Sequence, residues 1–255
     1  MKRSPGLLIL IAAAAFSQNE PKFVRIPAGS FVMGCDPGWK CAETMPKKRI
    51  DFAAPFEMMR SETTVAQFTA FANASGYQTE AEKAGDKFNW RSPGFKLDDR
   101  HPVVFMTLND AKAYCEFIKA RVPFEAEWEY AARAGSTTWH YWGEEIDDRY
   151  LWYFSNSDEH PEPVGRKRPN AWGLHDVEGN AMEWVQYGGP YSSITNPNGG
   201  TVRGGSYASC PKPYPPAPDG RINRTIGLSV TFPDGANSNF RANERRFDYG
   251  FRCVR

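Results

Sequence analysis

Apolar residues recur at helical spacing in three stretches of the chain, and each stretch is bounded by residues typical of helix ends. The first stretch follows Thr64 and places Val65, Phe68 and Phe71 on one face. Gly76 stands where such a helix would end, because glycine readily adopts the left-handed conformation that terminates helices. The pattern therefore predicts a helix that begins near Val65 and stops at Gly76.

Two further helices are expected in the middle of the chain. One covers residues 110–119, with Asn109 as its N-terminal cap. Its core-facing side chains are expected to be Ala113, Cys115, Phe117 and Ile118. The other covers Glu125–Arg133, begins after Pro123 and ends at residues 134–135, an Ala-Gly pair.

The rest of the pattern favours strands and loops. Residues 23–33 alternate around a Pro-Ala-Gly turn, which predicts a β-hairpin. Residues 80–104 are rich in Gly, Pro, Asp and aromatic residues, which predicts a structured surface loop that could line a pocket. Beyond Gly135 the sequence breaks into short strand-like pieces separated by Gly, Pro and Asn. These features predict an α+β domain with long irregular loops.

The first residues have the pattern of a secretion signal. Lys2 and Arg3 precede an apolar run over residues 6–16, and small residues surround a cleavage point after Ser17. The run is too short to span a bilayer, which takes roughly 20 residues. We therefore expect a signal peptide over residues 1–17, no membrane span, and a periplasmic or secreted protein. An uncleaved anchor or a buried first helix is the alternative.

The charge distribution narrows the possible partners, and the length indicates the number of domains. Acidic and basic residues are interspersed, and the formal net charge is +1. Binding to nucleic acid or to an anionic membrane through charge needs a broad basic surface, so neither partner is expected. A length of 255 residues suits a single domain, here residues 18–255.

The chain has five cysteines, and export would allow disulfides among them. Because five is an odd number, at least one thiol is left over. Cys35 and Cys41 flank a short loop that contains Pro and Gly, and they could close a disulfide around it. Cys210, which follows a Gly-Gly-Ser turn, is the natural unpaired residue.

Several short motifs occur in a fixed order along the chain. They are IPAGSFVMG at residues 26–34, RVPFEAEWEY at 121–130, PNAWGL at 169–174, GNAMEW at 179–184, RGGSY at 203–207 and GFRC at 250–253. In this order they resemble the formylglycine-generating-enzyme (sulfatase-modifying factor) superfamily. The resemblance implies its C-type-lectin-like fold, an α+β domain of short strands and few helices with long irregular loops.

An oxygen-rich segment lies within the fourth of these motifs and the residues before it. Its oxygen-bearing side chains are Asp176, Glu178, Asn180 and Glu183. Calcium binds many carboxylate and carbonyl oxygens, although the spacing alone favours an ordinary acidic turn at the surface. The resemblance implies a structural calcium ion bound by Asp176, Gly179, Ala181 and Glu183. Gly179 and Ala181 would each contribute a backbone carbonyl oxygen.

The resemblance also implies a disulfide between Cys115 and Cys253, which would tie the central helix to the last strand. Two buried free thiols are the alternative.

The Gly-Gly-Ser turn carries the candidate chemistry. In family members that generate formylglycine, two cysteines after this turn bind copper, and soft thiolates suit monovalent copper. By count, those positions are Ser209 and Tyr214 here, and Cys210 is one place late. The candidate catalytic residues are therefore Cys210 and Ser206. Alternatively, Cys210 is an inert side chain and Ser206 only serves the turn.

Iron chemistry of the kind found in sulfoxide synthases of this superfamily needs a histidine cluster. The four histidines are His101, His140, His160 and His175, which are scattered along the chain without an i, i+4 pair. That iron chemistry is therefore not expected, and the sequence leaves the identity of any redox cofactor open.

Three functions remain open. The first is an exported oxidoreductase that acts on a peptide-like or small-molecule substrate, as periplasmic family members do when they oxidise a siderophore precursor in pyoverdine maturation. The second is a non-catalytic lectin-like module that binds a ligand through aromatic loops such as residues 88–90 (Phe-Asn-Trp). The third is a sulfatase-activating enzyme, for which the copper cysteines are missing.

Overall fold

The computed structural model describes four stretches of the chain. These are residues 19–34, 47–189, 199–209 and 242–255. Within them the strands are β1 (Phe23–Ile26), β2 (Gly29–Met33), β3 (Lys48–Phe52), β4 (Phe56–Met59), β5 (Met182–Gln186), β6 (Gly200–Arg203) and β7 (Tyr249–Gly250). The helices are α1 (Val65–Ser75), α2 (Glu80–Ala84), α3 (Leu108–Phe117) and α4 (Glu125–Arg133).

The first two strands belong to different sheets. β1 pairs antiparallel with β4, and β2 pairs antiparallel with β3. The predicted hairpin over residues 23–33 is therefore wrong, although both of its strands exist. The reason is tertiary: the Tyr130 hydroxyl from α4 donates to the Pro27 carbonyl at 3.2 Å. A Cβ on Gly29 would lie 2.5 Å from that hydroxyl, so α4 packs directly against the bend between the strands.

Two helix predictions are confirmed. α1 begins after Thr64, whose side chain accepts the Gln67 N–H, and ends at Gly76 in the left-handed conformation, with φ 69°. α4 covers the predicted residues and also ends in a left-handed residue, Ala134, with φ 47°.

The start and the buried face of α3 differ from expectation. Thr107, not Asn109, caps the helix, because its side chain accepts the Asp110 N–H while the Asp110 carboxylate accepts the Thr107 N–H. With this start, Tyr114 and Cys115 face the core, whereas Phe117 is 40% exposed.

The region expected to be a loop over residues 80–104 contains the short helix α2. Thr79 caps it with the same reciprocal arrangement, in which its side chain accepts the Glu82 N–H. Trp90, expected on a ligand-gripping loop, is buried, and its Nε1–H donates to Glu82 at 3.1 Å. It therefore belongs to the core, while its neighbour Phe88 is 42% exposed.

The C-terminal half forms a small sheet of short strands, as predicted. β5 lies in the centre, antiparallel to β6 and parallel to β7. The chain then continues beside β4, where the Met59 N–H donates to the Cys253 carbonyl at 2.9 Å. The end of the chain is thus built into the core.

The disulfide implied by the family resemblance is present. Cys115 in α3 and Cys253 are joined across 138 residues, with 5.7 Å between their Cα atoms. Both residues are fully buried among the aromatic residues of one core cluster, which includes Phe68, Tyr114 and Phe251. The crosslink therefore fastens the last residues to the central helix.

Among the described residues, no helix combines the length and the apolar character that crossing a membrane requires.

Candidate functional site

Three distant segments meet around the predicted calcium residues. The His175 N–H donates to the Arg60 carbonyl at 2.8 Å, and the Thr63 N–H donates to the Phe251 carbonyl at 2.9 Å. The segment after β4, the oxygen-rich segment and the C-terminal motif are therefore in direct contact, with Arg252 between them.

Arg252 holds Glu183 in a buried bidentate ion pair. Its Nε and Nη2 each lie 2.6 Å from one oxygen of the carboxylate. Trp128 Nε1–H donates to the same carboxylate at 2.7 Å. Burial disfavours the charge on Arg252, but the Glu183 carboxylate outweighs this and raises its pKa. This pair fixes the position of β5 relative to the C-terminus.

The same guanidinium also binds backbone carbonyls from two segments. The accepting carbonyls belong to Met59, Arg60, His175 and Asp176. Arg252 is thus the hub on which the three segments converge.

Asp176 is the second acidic residue of the predicted calcium set. One of its oxygens accepts the Gly165 N–H at 2.6 Å, while the other, Oδ1, is buried and no described residue lies within hydrogen-bond distance. Burial raises the pKa of Asp176 to about 6. A buried carboxylate oxygen without a partner is costly, so this atom is suited to receive a cation.

The two predicted carbonyl ligands also fit a cation. In the part of the chain that the structure describes, no donor binds the carbonyl oxygens of Gly179 or Ala181. Gly179 has φ 81°, and a Cβ there would lie 2.2 Å from the Trp152 carbonyl oxygen, so only glycine fits. Glu183 keeps one lone pair on Oε1, because that oxygen accepts a single bond from Arg252. The four residues therefore suit a hard divalent cation.

Among the described residues, no group of three or more His, Cys, Asp or Glu side chains is arranged to hold a metal ion. The predicted calcium set is compatible with this, because it has two carboxylates and two carbonyls. The ring centroids of His101 and His160 lie 6.3 Å apart, although the two residues are far apart in the sequence. His140 instead contacts the buried Glu178 carboxylate at 2.5 Å.

The Gly-Gly-Ser turn packs directly against the oxygen-rich segment. The Gly179 N–H donates to the Gly204 carbonyl at 2.8 Å, and the Tyr207 N–H donates to the Asn180 carbonyl at 2.9 Å. Any ion that orders the oxygen-rich segment would therefore also order the turn that carries the candidate chemistry.

Ser206 and Ser209 are both buried in this turn. The Ser206 hydroxyl donates to Asp248 Oδ2 at 3.0 Å, and Arg246 Nε lies 3.5 Å from the other oxygen of that carboxylate. The Ser209 hydroxyl, at the first copper-ligand position, accepts the Ser206 N–H at 2.9 Å. The turn thus has the Ser209 hydroxyl where copper-binding family members have a thiolate, and beside it the Ser206 hydroxyl is paired with a carboxylate.

Several predicted residues lie outside the described stretches. These are the signal peptide 1–17, Cys35, Cys41, Cys210 and Tyr214. Their predicted roles stay predictions.

Sequence reasoning missed three buried charged residues at the site. Glu62 and Arg252 flank the predicted calcium set, and Asp248 pairs with Ser206. The positions carried a weak signal, since Arg252 stands in the GFRC motif and Asp248 lies two residues before that motif. Nothing in the spacing showed which residues each would contact.

Comparisons with known proteins agree with the motifs. The sequence model of one protein family, the sulfatase-modifying factor enzyme 1-like domain, matches residues 11–255 of this chain. The chain is 31% identical to the formylglycine-generating enzyme of Mus musculus, over 91% of this chain and 74% of that enzyme. It is 29% identical to the inactive C-alpha-formylglycine-generating enzyme 2 of Mus musculus, over 92% of this chain and 86% of that protein.

A solved structure shows the same fold. PvdO from Pseudomonas aeruginosa superposes with a TM-score of 0.69 at 24% sequence identity, over 92% of this chain and 94% of that chain. The expected α+β, formylglycine-generating-enzyme-like fold is confirmed. The chain belongs to the formylglycine-generating-enzyme (sulfatase-modifying factor) family.

Proposed function

We propose that this protein is an exported oxidoreductase of the family that oxidises a peptide-like or small-molecule substrate without a copper–dithiolate centre. The proposal depends on the contacts that Ser206 and Ser209 make in the Gly-Gly-Ser turn. Ser209 replaces the first thiolate and is already bound to the Ser206 N–H. Ser206 in turn is paired with Asp248.

The Ser206–Asp248 pair suits an oxidation that also removes protons from the substrate. Oxidation of two thiols to a disulfide, or of a catechol-type phenol to a quinone, removes two electrons and two protons, and molecular oxygen would accept both to give hydrogen peroxide. The Asp248 carboxylate, reached through the Ser206 hydroxyl, is the group at this turn that can accept a proton. Cys210 follows Ser209 directly in the sequence, and its thiol is the second candidate catalytic group. The family members that mature siderophores are the functional analogue.

Export and calcium belong to the same proposal. The Cys115–Cys253 disulfide supports export, because such crosslinks persist in oxidising compartments. The open Asp176 oxygen and the open carbonyls of Gly179 and Ala181 support a structural calcium ion. When bound, calcium would order the segment against which the Gly-Gly-Ser turn packs.

The test combines metal analysis of the mature protein with oxygen uptake in the presence of thiol and phenolic substrates. We expect bound calcium and substrate-dependent uptake, and we expect Ser206→Ala and Cys210→Ser each to lower the uptake rate at least tenfold. Ser157→Ala is the matched control, because the Ser157 hydroxyl also binds this turn, at the Tyr207 carbonyl, but does not contact Asp248. Uptake that is unchanged in both test variants would refute the assigned roles.

A ligand-binding module without catalysis is the second candidate. One observation favours it: a relative that matches most of this chain is named as inactive. Bound calcium without oxygen uptake for any thiol or phenol would support this function. Conversion of a sulfatase-derived cysteine peptide to formylglycine would instead support sulfatase activation, and we expect no conversion because the thiolate pair is missing.

A further inference from the structure

A cavity opens between the segment that precedes β1 and the start of α1. Its volume is about 440 Å³, which lies within the range of small-molecule pockets, roughly 300–1,000 Å³. Its wall is largely polar and includes three cationic and two anionic side chains, those of Lys22, Arg60, Arg100, Glu20 and Asp99. Three positive and two negative charges sum to +1, so the wall as a whole favours an anion.

Two of these cations, Lys22 and Arg60, are neighbours across the β1–β4 ladder. The register that pairs Phe23 with Met59 continues outward to them, and the Arg60 N–H donates to the Lys22 carbonyl at 2.8 Å. Like charges directly opposite each other in an antiparallel pair are destabilising. Among the described residues, no carboxylate forms an ion pair with either side chain. An anion bound between the two cations would relieve their repulsion.

Arg60 is held in place by an uncharged partner, the buried His175 ring. Arg60 Nη2 lies 2.9 Å from His175 Nε2, and His175 Nδ1 lies 2.9 Å from the Lys167 carbonyl oxygen. Because a carbonyl only accepts, Nδ1 carries the ring proton and Nε2 accepts from Arg60. Burial lowers the pKa of His175, and the positive charge of Arg60 also lowers it. The ring therefore orients the guanidinium without cancelling its charge, and further Arg60 donors remain for a ligand.

We propose that this cavity binds a small molecule with a single carboxylate group, which Arg60 and Lys22 hold. One monovalent anion balances the charge of the wall, whereas a doubly charged phosphate would leave a net negative charge beside the two acidic side chains. Ser61 and Gln67 also line the cavity and offer a hydroxyl and an amide to polar parts of the ligand. An acylated amino acid or the C-terminal end of a short peptide has this chemistry. The site is separate from the Gly-Gly-Ser turn and does not depend on the proposed oxidation.

The test is isothermal titration of the full mature protein with N-acetylglycine, a monocarboxylate that carries one amide group. We expect saturable binding at low ionic strength that weakens as salt is added, because the cations are partly exposed. N-acetylglycinamide has the same shape without the charge, and it should bind at least about tenfold more weakly, since charge-assisted hydrogen bonds are the stronger ones. Inorganic phosphate should bind no more tightly than N-acetylglycine. Equal affinity for the amide, or tighter binding of phosphate, would contradict the assignment of a monocarboxylate.

Substitutions of Arg60 test the anchor itself. Arg60→Gln removes the charge, and we expect the affinity for N-acetylglycine to fall at least about tenfold. Arg60→Lys keeps the charge but loses the forked donor geometry, so its affinity should lie between those of the parent and Arg60→Gln. Because the Arg60 side chain is exposed, both variants should melt close to the parent without ligand. Melting curves therefore separate a loss of binding from a loss of fold.

Arg49→Gln is the matched control. Arg49 is also an exposed arginine on the β-structure, but it pairs with Asp51 and does not line the cavity. We expect this variant to bind N-acetylglycine as the parent does. A parent without saturable binding, or an Arg60→Gln variant that binds as tightly as Arg49→Gln, would overturn the inference. Neither result bears on the proposed oxidation, which is measured separately by oxygen uptake.

Discussion

Removal of the disulfide between α3 and the C-terminus should strongly destabilise the protein, because the crosslink closes a long loop of the chain. The perturbation is the double variant Cys115→Ala/Cys253→Ala, which avoids a new buried hydroxyl. Both sulfurs are fully buried, so the native protein should also resist reduction by dithiothreitol until it unfolds.

The magnitude follows from the length of the loop that the crosslink closes. The two residues are 138 positions apart, and the chain-entropy relation gives about 5 kcal/mol at 25 °C for a loop of this length. For a domain of this size, each kcal/mol shifts the melting temperature by roughly 2–4 °C. We therefore expect the double variant to melt about 10–20 °C below the parent.

The assay is thermal unfolding followed by far-ultraviolet circular dichroism, at a fixed calcium concentration, for the parent and the variant without reductant. Cys210→Ala is the control, because it removes a cysteine without touching this crosslink, and it should melt with the parent. A double variant that melts within about 3 °C of the parent would show that the crosslink does not restrict the unfolded chain as reasoned.

Two further predictions concern the core of the site. Arg252→Met should lower the free energy of unfolding in urea by about 3–5 kcal/mol, because it leaves the buried Glu183 carboxylate unpaired; a loss below about 1 kcal/mol would contradict this. Gly179→Ala should cost more than about 3 kcal/mol, because its Cβ would meet the Trp152 carbonyl, whereas Gly173→Ala, with φ 89° and nothing within 4 Å, should cost only about 1–2 kcal/mol. Equal losses in the two glycine variants, measured by the same urea titration, would refute the steric argument.

Local signals in the sequence were enough to predict the positions of the helices whose ends are set by neighbouring residues. α1 and α4 lie where the apolar spacing and the left-handed stops placed them. The start of α3 was misplaced because two capping residues, Thr107 and Asn109, stand close together. The reciprocal bonds between Thr107 and Asp110 decided between them.

The ordered motifs determined the fold, the Cys115–Cys253 crosslink and the candidate calcium residues, because family membership carries such information. Strand pairing was different. The alternation over residues 23–33 predicted two strands but not that each pairs elsewhere, since the pairing depends on how Tyr130 packs at the bend.

The contacts within the candidate site could not be predicted from the sequence. Glu62 and Arg252 are 190 residues apart, and no local pattern indicates that they share one buried volume with Asp176 and Glu183. By itself the sequence determined the family, the helix ends and the residue types at the turn. Only the tertiary structure decided which carboxylates are buried and which lack a partner, because burial and desolvation depend on contacts among all the packed segments.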